Sequence, residues 1–161
     1  MMQSKPILVL SGPNLNLLGQ RQPEIYGKEN LADHLETARE AALVGGYTVE
    51  HLHSNHEGDL IDAIHHARSR AAAIIFNPGA FTHYSYALAD ALAAYDGIVV
   101  EVHLSNPAAR EEWRRTSVIA PVATGTIAGF GGTGYRLAVE AVLSLLDPGG
   151  PGVSPDIQEP A

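Results

Sequence analysis

Ile7-Leu8-Val9-Leu10-Ser11-Gly12-Pro13-Asn14-Leu15-Asn16-Leu17-Leu18-Gly19 is the stretch on which the reading of the fold turns. Its first four residues form a short, wholly apolar run, the pattern of a strand buried on both faces. Gly12-Pro13 ends that run with a turn signal. The chain then leaves into a polar loop that continues to Gly27 and carries Asn14, Asn16, Arg21 and Tyr26. A buried strand emptying into a long polar loop is where α/β proteins keep their chemistry, beyond the carboxyl ends of the strands.

Working outward, apolar runs alternate with helical patterns. Strands are predicted at Ile7–Leu10, Tyr47–Leu52, Ala73–Phe76, Ile98–Val102 and Thr126–Gly129. Helices are predicted at Asn30–Val44, Gly58–Arg70, Tyr84–Ala94, Ala108–Arg115 and Gly134–Leu146. Asn30 is placed as an N-cap with Asp33 in the capping-box position, and Gly45-Gly46 stops the helix that follows. Strict strand–helix alternation implies a parallel sheet covered on both faces. Five such units suit a flavodoxin-like, doubly wound, five-stranded sheet in three α/β/α layers, filling one domain over residues 1–147. Residues 148–161, with four prolines and three glycines, are expected to be a disordered tail.

Composition narrows the function. At 161 residues the chain is long enough for one domain with a real core. A formal charge of −8 argues against nucleic acid as a partner, yet leaves room for an anionic small molecule held by a few arginines. The absence of cysteine removes disulfides, thiol catalysis and Cys-based zinc sites. No apolar run is long enough to span a membrane and no signal-peptide pattern opens the chain, so a cytoplasmic protein is expected.

The polar strand ends carry the chemistry. Glu101 and His103 are two apart on one predicted strand and therefore face the same side. A carboxylate beside an imidazole orients it and favours its protonated form, the pairing of a general acid; a structural ion pair at a strand end is the plainer alternative. Arg110 and Arg114, one helical turn apart in the predicted helix, would share a face suited to a carboxylate, or would simply pair with Glu111 and Glu112. Asn77 ends the third strand, where it either caps the next turn or binds a ligand. His83 is placed at the start of the third helix, whose dipole suits an anion. Tyrosine, with an ordinary pKa of about 10, is a base near neutrality only where cations stabilise its phenolate, and Arg21 lies in the same loop as Tyr26. Gly129-Phe130-Gly131-Gly132-Thr133-Gly134 fits a dinucleotide fingerprint but lacks the later strand and acid, so packing is the better reading of its glycines. His51, His53 and His56 lack a convergent second shell, and no metal site is expected from them.

Taken together these segments resemble the type II 3-dehydroquinate dehydratases. The motifs are Gly12-Pro13-Asn14-Leu15-Asn16-Leu17-Leu18-Gly19 with Arg21 and Tyr26-Gly27, Ser54-Asn55-His56-Glu57-Gly58, Thr82-His83, Glu101-Val102-His103-Leu104-Ser105-Asn106, and Arg110-Glu111 with Arg114. The resemblance implies an anti elimination of water from 3-dehydroquinate through an enolate. It implies no metal or cofactor, and a homo-oligomer, a dodecamer built as a tetramer of trimers. It implies Tyr26 as the base at C2, Arg21 as the group that keeps it ionised, and Asn14 as the holder of a water on the enolate oxygen. His103 would be the acid, oriented by Glu101. Asn77, His83, Arg114 and the Leu104-Ser105 backbone would bind the substrate, Arg110 would support Tyr26, and Asp90 would reach a neighbouring subunit's site. The loop from Gly19 to Gly27 would close as a lid. Ser11, Tyr84, Tyr86, Ala89, Thr116, Val118 and Thr133 depart from residues frequent in that family; none of them carries an assigned role. The competing readings are a homologue that binds a related cyclic acid without this turnover, and a flavin or nucleotide binder. The second needs a Ser/Thr/Gly phosphate loop that Pro13-Asn14-Leu15-Asn16-Leu17 does not supply.

Overall fold

The structure is a computed structural model and describes residues 4–148. The expected tail lies outside these residues except for Pro148. Five strands, β1 (Ile7–Ser11), β2 (Val49–His53), β3 (Ala73–Asn77), β4 (Ile98–His103) and β5 (Gly125–Ala128), pair in parallel in the order β2-β1-β3-β4-β5. That is the flavodoxin-like order, with its switch point between β1 and β3. All five strands fall where the apolar runs place them, with ends moved by one or two residues.

Alternation along the strands fills two cores. Ile7, Val9, Ile75, Val100 and Val102 point to the face covered by α2 (Leu31–Val44) and α5 (Thr133–Leu146). Leu10, Ile74, Phe76 and Val99 point to the face covered by α3 (Glu57–Arg70) and α4 (Tyr86–Ala93). Every residue of β3 is buried, as a central parallel strand requires. The α2 capping box forms as expected, Asn30 accepting from the Asp33 amide while Asp33 accepts from that of Asn30.

The exits of β1 and β3 are interlocked backbone to backbone. The Gly12 amide donates to the Asn77 carbonyl at 2.8 Å. A Cβ at Gly12 would stand 2.2 Å from the Pro78 carbonyl oxygen, and one at Gly79, whose φ is +59°, 2.9 Å from that of Pro13. Two turns that must touch without side chains explain why Gly-Pro-Asn and Asn-Pro-Gly follow the two central strands. The later glycine cluster is also a packing device: a Cβ at Gly132 would lie 2.5 Å from His34 Nδ1.

Two expectations are overturned. No helix spans 108–115. Two 3₁₀ turns, Pro107–Ala109 and Glu112–Arg114, are joined by extended Arg110 and Glu111. Asn106 caps the first turn by accepting from the Ala108 amide, and beyond it only Trp113 offers a large apolar group, so there is no stripe for a longer helix to bury. Nor does His83 begin a helix: it ends a 3₁₀ turn (Gly79–His83), and Ser85 caps α4 after it. A helix dipole therefore does not explain His83. A short helix the apolar pattern does not reveal, α1 (Pro23–Tyr26), lies within the polar loop, with proline at its first position and Tyr26 as its last residue.

Candidate active site

A cleft of about 680 Å³, open at its mouth, sits over the carboxyl ends of β1, β3 and β4. Pro13, Asn14, Leu15 and Leu18 come from the β1 exit, and Arg21 and Tyr26 from the loop above it. Asn77, Gly79, Ala80 and His83 follow β3; His103, Leu104, Ser105, Pro107, Arg110 and Arg114 follow β4. Of the site residues expected from sequence, Glu101 lies behind His103 and not on the wall. Asp90 lies away from the cleft, exposed on α4 beside Tyr86, Ala89 and Val122. The others line the cleft.

Tyr26 faces a cation from the far side of the chain. Arg110 Nη1 donates to the phenol oxygen at 2.6 Å and to Ser105 Oγ at 3.4 Å, with the guanidinium carbon 5.1 Å from the Tyr26 ring centre. Arg21, expected to do this, lines the same cleft, but the guanidinium bonded to Tyr26 is that of Arg110. The extended backbone at Arg110, φ −109° and ψ −160°, is what turns its side chain back toward the loop. The premise that Arg110 and Arg114 share a helical face fails with the helix, though the bend still brings both to the cleft.

His103 and Glu101 stand on one side of β4, as their spacing requires, with Nε2 2.7 Å from the carboxylate. A carboxylate can only accept, so Nε2 carries the hydrogen and Nδ1 is left for a ligand. Glu101 is wholly buried. Ser117 Oγ donates to its two oxygens at 2.9 and 3.2 Å, Thr82 Oγ1 donates to Oε1, and Thr126 Oγ1 lies 3.4 Å from Oε2. Burial pushes the Glu101 carboxyl upward, but the bonds from His103, Thr82 and Ser117 outweigh it and hold the group below the usual carboxylate value.

His83 donates from Nδ1 to the Thr116 carbonyl at 2.8 Å. Burial holds its pKa below the ordinary value, against the pull of that bond, so the neutral ring offers Nε2. Its edge meets Trp113, ring centres 5.1 Å apart, and the Arg114 guanidinium carbon lies 4.0 Å from the centre of the same indole. Arg114 Nε also donates to Glu111 at 2.5 Å, which leaves its terminal nitrogens for a further anion. Asn77 is held at both ends: Oδ1 accepts from the Gly79 amide at 3.2 Å and Nδ2 is 3.4 Å from the buried Tyr135 hydroxyl. It therefore caps the turn and lines the cleft at once. The Asn14 backbone, left-handed at φ 68°, is pinned by its amide to Asn55 Oδ1 at 2.9 Å.

Sequence reasoning assigns no role to Thr82, Trp113, Ser117 or Tyr135. The available signal is indirect: a carboxylate on a buried central strand demands donors, and hydroxyl side chains are their usual source. Nothing in the spacing says which hydroxyls converge. His51, on the edge strand, is placed against Ser11, its Nε2 3.0 Å from the hydroxyl.

A cavity that sets a tyrosine bonded by an arginine against a histidine backed by a carboxylate can remove a proton on one side and deliver one on the other. Comparison with known proteins bears on which substrate does so. The class II dehydroquinase family model matches residues 5–143. The 3-dehydroquinate dehydratase of Halalkalibacterium halodurans is 55% identical over 137 residues, covering 85% of this chain and 94% of that protein. The 3-dehydroquinate dehydratase of Caulobacter vibrioides is 52% identical over 142 residues, covering 88% and 97%. The crystal structure of the type II dehydroquinase from Propionibacterium acnes superposes with a TM-score of 0.84 at 42% identity, covering 89% of this chain and 99% of that one.

Proposed function

The chain belongs to the class II dehydroquinases, and from that premise we propose that it is a 3-dehydroquinate dehydratase, a hydro-lyase that removes water from 3-dehydroquinate to give 3-dehydroshikimate in the shikimate pathway. The observation that carries this reading is the pairing of Tyr26–Arg110 with His103–Glu101 across one cleft.

Tyr26, as its phenolate, takes the C2 proton, and the Arg110 guanidinium on its oxygen counters the charge it carries. The electrons left at C2 pass to the C3 carbonyl oxygen, where a water held by Asn14 stabilises the enolate. Arg21, in the same wall, adds positive charge to this end of the cleft. His103 then protonates the departing C1 hydroxyl from Nδ1 while Glu101 keeps Nε2 and fixes the ring. Asn77, the free nitrogen of His83, Ser105 and the Leu104-Ser105 backbone take the substrate hydroxyls, and the terminal nitrogens of Arg114 take its carboxylate. The Gly19–Gly27 segment closes over the bound acid and delivers Tyr26.

Residues 1–147 act as one catalytic unit in this reading, in a cytoplasmic homo-oligomer that is a dodecamer by family likeness. Among the described residues no helix is long and apolar enough to cross a membrane. Exposed Tyr86 beside Asp90 supports a subunit contact on α4 through which Asp90 would approach a neighbour's site. The enzyme would serve aromatic biosynthesis or quinate breakdown. The test is incubation with 3-dehydroquinate while the ultraviolet absorbance of the conjugated enone is followed. Appearance of the enone is expected; binding without turnover would overturn the proposal in favour of a non-catalytic homologue.

A further inference from the structure

We propose that Ser117 and Thr82 are positioning residues for the acid half of this reaction, holding Glu101 as a carboxylate against its burial so that His103 always works from Nδ1. The proposal rests on the dehydratase reading for its kinetic consequence, but not for its structural one.

Counting hydrogens decides the direction of each bond. Ser117 Oγ accepts the amides of Ile119 at 3.1 Å and Ala120 at 2.9 Å, which uses both of its lone pairs. Its single hydrogen is then committed to Glu101. Thr82 Oγ1, 3.3 Å from Ser117 Oγ, finds no acceptor site left there, so its hydrogen also goes to Glu101. With the Nε2–H of His103, the carboxylate receives three committed donors. A protonated Glu101 would have to turn its own hydrogen toward one of them, so each committed donor opposes protonation.

The same segment also serves the second histidine. The Thr116 carbonyl holds His83 Nδ1 and the Val118 amide donates to the Thr82 carbonyl at 2.8 Å. Residues 116–118 therefore orient His83 directly and His103 through Glu101. Thr116 and Val118 act here through their backbone, so their departure from the family's frequent residues leaves this arrangement intact. Only Ser117 acts through its side chain.

The titratable groups facing Glu101 are His103 on its own strand and His83 on the turn after β3, with Arg114 acting on His83 from the Glu112–Arg114 turn. Thr82, Ser117 and Thr126, which face it from the other elements, carry no charge. Loss of a committed donor therefore moves Glu101 protonation to higher pH, and with it the acid side of the rate profile.

The experiment is a pair of pH titrations on wild type, Ser117→Ala, Thr82→Val and Thr82→Ser. One follows kcat/KM for 3-dehydroquinate; the other follows the ¹³C carboxyl resonance of Glu101 in the resting protein, identified by its loss in Glu101→Gln. Removing either hydroxyl is expected to lower kcat/KM by up to about tenfold on the acid limb, the weight of one bond to a charged group, and to leave it close to wild type near neutrality, where Glu101 stays ionised. It is also expected to move both the acid limb and the Glu101 resonance to higher pH, and Thr82→Ser should return both toward wild type. A Glu101 titration that stays in place when the hydroxyls are removed would overturn the proposal, as would a loss of rate with an unshifted profile. Should Ser117→Ala fail to fold for want of its two capping bonds, the nearly isosteric Thr82→Val decides alone. A wild type that gives no enone would sink the dehydratase reading, while the resonance still reports whether Glu101 is held ionised.

Discussion

Tyr26 shows how much of a site can be read residue by residue. The loop that carries it announces itself by polarity, and Arg21, five positions away, is the cation a sequence reader reaches for. The guanidinium that bonds the phenol oxygen belongs to Arg110, brought from 84 residues away by a bend between two 3₁₀ turns. Proximity along a chain and proximity in a fold diverge most where the connecting backbone is irregular, since no period forecasts where a side chain will point. The phenol oxygen is the only atom removed in Tyr26→Phe, and the ring keeps its packing beneath the loop. We therefore expect kcat for 3-dehydroquinate to fall by roughly 10²- to 10⁴-fold with KM changed little, as loss of a proton-transfer group requires. Steady-state kinetics by enone absorbance checks this, and a fully active variant would remove Tyr26 from the base role without touching the reaction. Arg110→Lys should lose about tenfold in kcat, because the Nη1 that donates to both Tyr26 and Ser105 is carried on a rigid planar group, whose placement a flexible, strongly hydrated ammonium does not reproduce.

At the scale of elements, legibility follows the source of the stabilisation. The strands and the α2 capping box rest on local pattern: short apolar runs, an asparagine three residues before an aspartate, paired glycines after Val44. These are visible in sequence because the physics that forms them acts over a few residues. The 107–114 segment is irregular because its partners are distant, the Tyr26 hydroxyl above and the Trp113–His83 contact beside it. Its alternation of Ala, Arg and Glu looks helical only when those partners are unknown. The crossing of the β1 and β3 exits is half legible: glycine and proline mark both turns, while their mutual contact appears only in the fold. It supports a paired prediction. Gly12→Ala drives a Cβ into the Pro78 backbone, which cannot swing aside as a side chain can, so we expect a loss of about 3 kcal/mol or more, near 6–12 °C in melting temperature, with loss of activity as both rims shift. Gly58→Ala, in the first turn of α3 with open space around its Cβ, should be neutral or stabilising by up to about 1 kcal/mol. Calorimetry on the two variants separates a steric glycine from a merely tolerated one; equal melting temperatures would show that the exits can part without cost.

The whole molecule carries an acid sensitivity that its composition conceals. With a net charge of −8, protonating carboxylates relieves self-repulsion and by itself favours the folded state on mild acidification. Two histidines oppose this. His34 is 1% exposed, stacked on Tyr135 with ring centres 5.5 Å apart, and neither ring nitrogen has a hydrogen-bond partner among the described residues. Burial pulls its pKa below the ordinary 6.5 despite Glu29 and Asp33. His51, against Ser11, is brought down to about 4, by burial first and then by His53 and Arg39. Both groups are lowered in the fold, so below about 6.5 the unfolded chain binds protons the folded chain refuses, down to about 4 in the case of His51, and stability falls as pH falls. Glu101, also lowered, adds a loss of the same sign, but only below the ordinary carboxylate value near 4.5. Allowing for the solvent that reaches His51, its share is about 1 kcal/mol, or about 2–4 °C in melting temperature for a chain of this length. His51→Gln keeps a hydrogen-bonding partner for Ser11 and removes the titration. Wild type and variant share the same carboxylates, so the difference between their melting temperatures isolates the histidine. That difference should open steadily in the variant's favour between pH 7 and pH 4.5, and parallel curves across that range would assign the acid sensitivity elsewhere.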